Sequence, residues 1–250
     1  MAQVQYGGHI GSCNSMGYAT TDLYVTITVA SNASMLIIVD GDGDGRDEDL
    51  ILPTLGGKTW QSFWDLDDYI GGQLWYLLNP PSGSQTQHGY RTSAAKKWGF
   101  AMYDVTGSVR SGNPIRDVSY SKAYQDTTMD ISVTKCGGMD MTIFHHMSPA
   151  NYGTPYAGQT NLGNFYTDDD CDGNGFFFTS MSTKYNANGT CGYTCPNDWN
   201  VVTQAVIKAN PPAGGFSVFF KQWQDLVRDL RGGLLPPWLL RRRWNEAVQI

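Results

Sequence analysis

The chain has 250 residues, 17 Lys and Arg against 23 Asp and Glu, and eight Trp with fourteen Tyr. That length suits one large all-β domain or two small ones, and the composition is that of a folded, turn-rich chain rather than a disordered one. The net charge of −6, with Arg241-Arg242-Arg243 as the main basic run, excludes a general electrostatic approach to nucleic acid, and no apolar run reaches the roughly 20 residues of a membrane span.

From the N-terminus, "MAQVQYGGHIGSCNSMGY" has neither a basic start nor an apolar stretch, which predicts no secretory signal. Residues 25–39, "VTITVASNASMLIIV", alternate apolar and polar on both sides of an Asn-Ala-Ser turn and predict two strands joined by a short turn. The acidic run "VDGDGDGRDEDL" follows. Asp40, Asp42 and Asp44 lie two apart with Gly45 next, a spacing that lets a tight loop aim carboxylates at one point, and Glu48 or Asp49 could complete an oxygen shell for Ca²⁺. It is not an EF-hand, because the twelfth position is Ile51 and the flanks read as strand. A solvated Asp-Gly turn is the structural alternative.

Residues 53–78 run Pro, Gly-Gly, an aromatic segment and a Trp-Leu cluster, and the spacing of Trp60, Phe63, Trp64 and Ile70 predicts a short amphipathic helix. Residues 96–109 predict a further strand. Residues 129–143, "MDISVTKCGGMDMTI", then repeat the pattern of 25–39, with the turn and the apolar positions at the same offsets. His145 and His146 end that strand and, being adjacent, face opposite ways. A second acidic loop, 168–175, keeps the spacing of the first as Asp170, Asp172 and Asn174 and is a second candidate Ca²⁺ site. Residues 200–220 predict strands. Residues 212–240 repeat the order of 53–78 and predict a second amphipathic helix, with Phe219, Trp223, Leu226, Val227 and Leu230 on one face.

The reading is therefore mainly β: two β-sandwich-like units from an internal duplication, 1–115 and 116–233, each with a short amphipathic helix, and a docking segment at 234–250. Five Cys cannot all pair within one chain, which leans towards a reducing compartment. Cys191 and Cys195 could close a short loop, or join Cys171 and His145 or His146 around zinc, though the spacing matches no standard zinc knuckle. In the last segment, Leu234, Leu235, Trp238, Leu239, Leu240 and Trp244 are too apolar to lie free in water. They either fold back or dock on another copy, and Arg241, Arg242 and Arg243 are suited to an acidic patch such as 47–49 on a neighbour. A head-to-tail contact of that kind grows rings, filaments or sheets.

Nucleophile-elbow, zinc-protease, phosphate-loop and dinucleotide motifs are all lacking from the sequence, so no enzyme is expected. The second unit, through "ISVTKCGGMDMTIF", "YTDDDCDGNGFFFTS" and "VIKANPPAGGFSVFF", resembles the bacterial pre-peptidase C-terminal family. That resemblance implies a small jelly-roll-like sandwich acting as a non-catalytic adhesion or folding module, some members holding calcium. The duplicated layout, the lack of a secretory signal and the odd Cys count also resemble the diatom pyrenoid shell proteins, which implies assembly into sheets in a plastid stroma. The expected function is that of a non-enzymatic structural protein whose partners are other copies of itself, in a sheet, tube or shell. The alternative is a calcium-dependent adhesion or carbohydrate-binding module, whose Trp and Tyr would stack on sugar rings.

Overall fold

The computed structural model describes residues 3–14, 21–43, 50–66, 70–92, 98–133, 139–167, 177–185, 187 and 189–210. The described residues form thirteen strands and no helix. In the first half these are β1 (Gln5–Asn14), β2 (Asp22–Val29), β3 (Met35–Gly43), β4 (Gln61–Leu66), β5 (Ile70–Leu78), β6 (Gly83–Tyr90) and β7 (Trp98–Thr106). In the second half they are β8 (Ile115–Val133), β9 (Met141–Ser148), β10 (Thr154–Pro155), β11 (Thr160–Thr167), β12 (Phe177–Tyr185) and β13 (Gly189–Ile207).

All pairings between these strands are antiparallel. One sheet runs β1-β7-β3-β5-β4 and takes strands only from residues 5–106. The other runs β8-β13-β9-β12-β11, with β10 on the far part of β13, and takes strands only from 115–207. The two sheets pack face to face, with β1 against β11 and β4 against β8. Met35, Ile37, Val39, Ala101 and Tyr103 from one meet Met141, Ile143, Met147, Val201 and Ala205 from the other.

Each sheet is covered on its outer face as well. The β2–β6 ribbon lies over the first sheet, with Leu23, Val25, Ile27 and Val29 pointing in every second residue, as alternation requires. Over the second sheet lie the far ends of β8 and β13, which are long enough to serve both layers. They bend near Gln125, whose φ of 62° is in the left-handed region, and at the register shift between Thr194 and Asp198. Met129, Ile131, Val133, Cys191 and Tyr193 pack from there onto Phe144, Val202 and Val206. The middle strands are thus buried on both faces, which is why "MLIIV" in β3 and "WGFAMY" in β7 read as unbroken apolar runs.

Several ladder pairings correspond between the two halves. Met35 pairs with Leu78 and Val105, as Met141 pairs with Tyr185 and Ile207. Val29 meets Gly83 as Val133 meets Gly189, and both glycines take a φ above +80°, which a side chain resists. Phe63 on β4 and Leu162 on β11 are extra residues at the same step of the same edge ladder. Gly7 on β1 and Arg116 on β8 are extra residues at another shared step. The halves also differ: β1 and β2, and likewise β6 and β7, are separate strands where β8 and β13 run through, β1 has a second register shift between His9 and Gly11 that β8 lacks at that step, and β10 has no counterpart among the described strands of the first half.

Two sequence expectations are corrected. Where the sequence predicts the first helix, Gln61–Leu66 and Ile70–Leu78 are the strands β4 and β5; the bulge at Phe63 breaks strict alternation and leaves the aromatic residues at quasi-helical spacing. The strands expected in 25–39 and 129–143 are present, as β2 with β3 and as the end of β8 with β9, though the two strands of each pair do not hydrogen-bond to each other. β2 pairs β6 while β3 pairs β5 and β7, so the Asn32 turn joins two layers, not two strands of one hairpin. The two acidic loops also differ in place. The first follows β3, whereas the second joins β11 to β12, the step that residues 67–69 make between β4 and β5. The second amphipathic helix, at 212–240, lies outside the described residues.

Candidate functional site

Among the predicted metal ligands, Asp40 lies inside β3 rather than in a loop. Its carboxylate is wholly buried and accepts a hydrogen bond from Arg91 Nη2 at 2.6 Å, and the Arg91 guanidinium lies 5.2 Å from the Trp98 ring centre. Asp42 continues the same strand, opposite Gly71 and Trp98. Asp44, Glu48, Asp170, Asp172 and Asn174 lie outside the described residues, as do residues 234–250. Among the described residues, no three His, Cys, Asp or Glu groups are gathered for a metal ion.

The register places His146 where the first half has Asp40, and Asn200 where it has Trp98. The His146 ring is held on both nitrogens: Nε2 lies 3.0 Å from Asn200 Oδ1, and Nδ1 accepts from the Gly153 amide at 3.1 Å. It also stacks on Tyr193, whose hydroxyl meets Ser182 Oγ at 2.8 Å. Burial holds the His146 pKa down to about 4 against a smaller opposing effect of Asn200. His145 faces the core between the sheets, edge-on to Trp64, and neither ring nitrogen has a hydrogen-bond partner among the described residues. Burial, and then the neighbouring His146, lower its pKa to about 3. Two neutral imidazoles sealed on opposite faces of β9 are packing and strut elements.

Cys191 and Cys195 are free thiols on β13, not a closed loop. Four residues along a strand span about 13 Å, well beyond disulfide reach. Burial raises the pKa of both thiols, that of Cys195 to about 12, which keeps them protonated and unreactive at neutral pH. Cys13 is also free, while Cys136 and Cys171 lie outside the described residues.

Two surface features emerge that sequence reasoning did not single out. On the outside of the β2–β6 ribbon, His88 stacks between Tyr24 (4.4 Å, 6°) and Tyr90 (5.4 Å, 26°), and Asp22 Oδ1 lies 2.8 Å from its Nε2. Tyr24 is 62% exposed. The cross-strand pairing of Tyr24 with His88 puts the rings in register.

The second feature is a groove of about 220 Å³ between the edge strands β4 and β8. Its walls are Ser62, Phe63 and Tyr76 on one side and Ile115, Asp117 and Val118 on the other, with the Phe63 and Tyr76 rings 6.0 Å apart. Asn113 and Arg116 also line it; Asn113 Oδ1 accepts the Ile115 amide, and Arg116 pairs with the buried Asp140 at 3.0 Å. At the opposite edge of the same interface, β1 meets β11, and there Tyr6 fills the space. Its hydroxyl donates to the Leu162 carbonyl at 2.9 Å, its ring lies 6.0 Å from Tyr103, and burial with the Asp104 charge raises its pKa to about 12.

No family model, curated protein or solved structure matches this chain. No described helix is long and apolar enough to cross a membrane.

Proposed function

We propose that the chain is a non-enzymatic structural protein that associates with copies of itself into a larger assembly, built from two duplicated sandwich units, 1–115 and 116–233. The observation that carries this reading is the disposal of reactive groups. His145, His146, Cys191 and Cys195 are buried as internal struts between layers, and the two sheets with matching strand order and bulges brace each other across one core. The matching bulges at Phe63 and Leu162, and at Gly7 and Arg116, support the duplication.

Association runs through side chains rather than through strand addition. The edge strand β8 carries Arg116, Asp117, Lys122 and Asp126 along its length, and charges of this kind discourage edge-to-edge pairing. Tyr120 and Tyr124 stand 51% and 54% exposed on the same strand and offer contact surface instead. The segment 234–250 supplies the second half of the contact. Electron microscopy and light scattering test this: the full chain forms particles larger than one protomer, and deletion of 234–250 leaves a folded, smaller species. An unchanged particle size after deletion contradicts the role of the segment.

Ca²⁺ held by the acidic residues of 42–48 and 170–174, without the buried Asp40, is a pin for two turns in this reading, and isothermal calorimetry on the full chain measures it. A second reading, a calcium-dependent adhesion or glycan-binding module, is favoured by one feature: the Tyr24–His88–Tyr90 ladder, whose exposed end, Tyr24, offers a ring to a sugar face. Binding of one glycan class on an array, lost with a chelator and with Tyr24→Ala, selects that reading.

A further inference from the structure

The groove between β4 and β8 has a filled counterpart in the same molecule, and the counterpart says what fits it. Four ladders define the correspondence. Tyr6 pairs with Val105 as Ile115 pairs with Ile207. Val105 pairs with Met35 as Ile207 pairs with Met141. Met35 pairs with Leu78 as Met141 pairs with Tyr185, and two residues back Tyr76 pairs with Gln61 as Thr183 pairs with Thr160. The bulged residues beyond are Phe63 and Leu162. Ile115 therefore stands where Tyr6 stands, and the Phe63 carbonyl stands where the Leu162 carbonyl stands.

At the β1–β11 edge, a phenol ring bridges the two sheets and its hydroxyl ends on the bulge carbonyl. At the β4–β8 edge, the residue is Ile115, which has no ring to cross the gap and no hydroxyl to donate, and the gap is the groove. Two aromatic rings, Phe63 and Tyr76, already line it in a tilted pair that suits a third. At about 220 Å³ it lies below the roughly 300–1,000 Å³ usual for whole small ligands. It has room for one ring of a larger partner. Tyrosine is among the residues most often used as an anchor of this kind.

We infer that this groove receives the p-hydroxyphenyl side chain of a tyrosine on a partner chain, with the ring between Phe63 and Tyr76 and the hydroxyl donating to the Phe63 carbonyl. The site is independent of whether the chain assembles with copies of itself. NMR titration of the full chain with p-cresol, toluene and the peptide acetyl-Gly-Tyr-Gly-amide tests it. The expected result is saturable shifts at Phe63, Tyr76 and Ile115 with p-cresol, about fivefold tighter than with toluene because only p-cresol donates the hydrogen bond. The peptide binds at least as tightly as p-cresol. Ile115→Tyr fills the groove from within, abolishes both titrations and raises Tm. Should that variant fail to fold, Phe63→Ala takes its place and abolishes the p-cresol shifts. Absence of saturable shifts at these residues, equal affinity for toluene, or p-cresol binding without peptide binding overturns the inference.

Discussion

Beneath the β2–β6 ribbon, Asp40 meets Arg91 as a buried ion pair, whereas at the corresponding step beneath the far ends of β8 and β13, His146 meets Asn200 as a neutral pair. Much of the backbone ladder is shared by the two halves, and Asp40 and His146 hold equivalent steps, but Asn200 stands where the first half has Trp98 rather than Arg91, and the chemistry differs. At the edges the contrast is repeated: Tyr6 closes the intersheet core on one side, and Ile115 leaves it open on the other. Register thus fixes where a polar or bridging group sits in this fold. What occupies the position differs between the halves, and that difference makes the two halves chemically distinct.

The largest way to break the first contrast is Asp40→Ala. It strands the Arg91 charge in a site from which water is excluded, and a loss of about 3–5 kcal/mol is expected from denaturant unfolding. Asn200→Ala removes only neutral hydrogen bonds and costs about 1–3 kcal/mol. Equal losses for the two variants would remove the distinction between a charged and a neutral layer.

Acid should act on the second half through its histidines. Both have folded-state pKa values below the ordinary 6.5, at about 3 for His145 and about 4 for His146. The unfolded chain then takes up protons first as pH falls. Stability is full above pH 6.5 and is lost progressively as pH falls towards 3, by an amount on the order of a few kcal/mol. Urea midpoints measured between pH 7 and 4 follow this slope, and His145→Leu flattens it. A pH-independent midpoint in the native chain contradicts the burial of both rings as neutral groups.

The smallest expected effect sharpens the edge contrast. Tyr6→Phe deletes the hydroxyl that the Leu162 carbonyl accepts and costs about 1 kcal/mol. Thermal unfolding reads this as a small fall in Tm; no change would mean that the bond to Leu162 carries no weight in closing the core.

Much of the fold was legible because its signals are local. The alternation of β2 and the unbroken apolar runs of β3 and β7 can be read directly, since a strand covered on one face alternates and one covered on both does not. The partnership of strands was not legible. The turn at Asn32 looks like a hairpin turn, and only the pairing of β2 with β6, far along the chain, makes it a link between layers. The helix expected around Trp60–Ile70 failed at the bulge on β4, where one extra residue mimics helical spacing. Asp40 read as a loop ligand because its partner Arg91 is 51 residues away. The groove was invisible for the same reason: its meaning comes from comparing Ile115 with Tyr6, two residues related only through the ladders. Gly7-Gly8 after Tyr6 did carry a hint, since a Cβ on Gly7 would collide with the Asp104 carboxylate, which marks the bulge there.

The most direct test of the correspondence between the halves is an exchange of the two edge residues. In the double variant Tyr6→Ile/Ile115→Tyr, NMR titration with p-cresol should show the saturable shifts leave Phe63 and Tyr76 and appear at Leu162 and Thr183, their register counterparts. Shifts that stay at Phe63, or that vanish from both edges, would contradict the account.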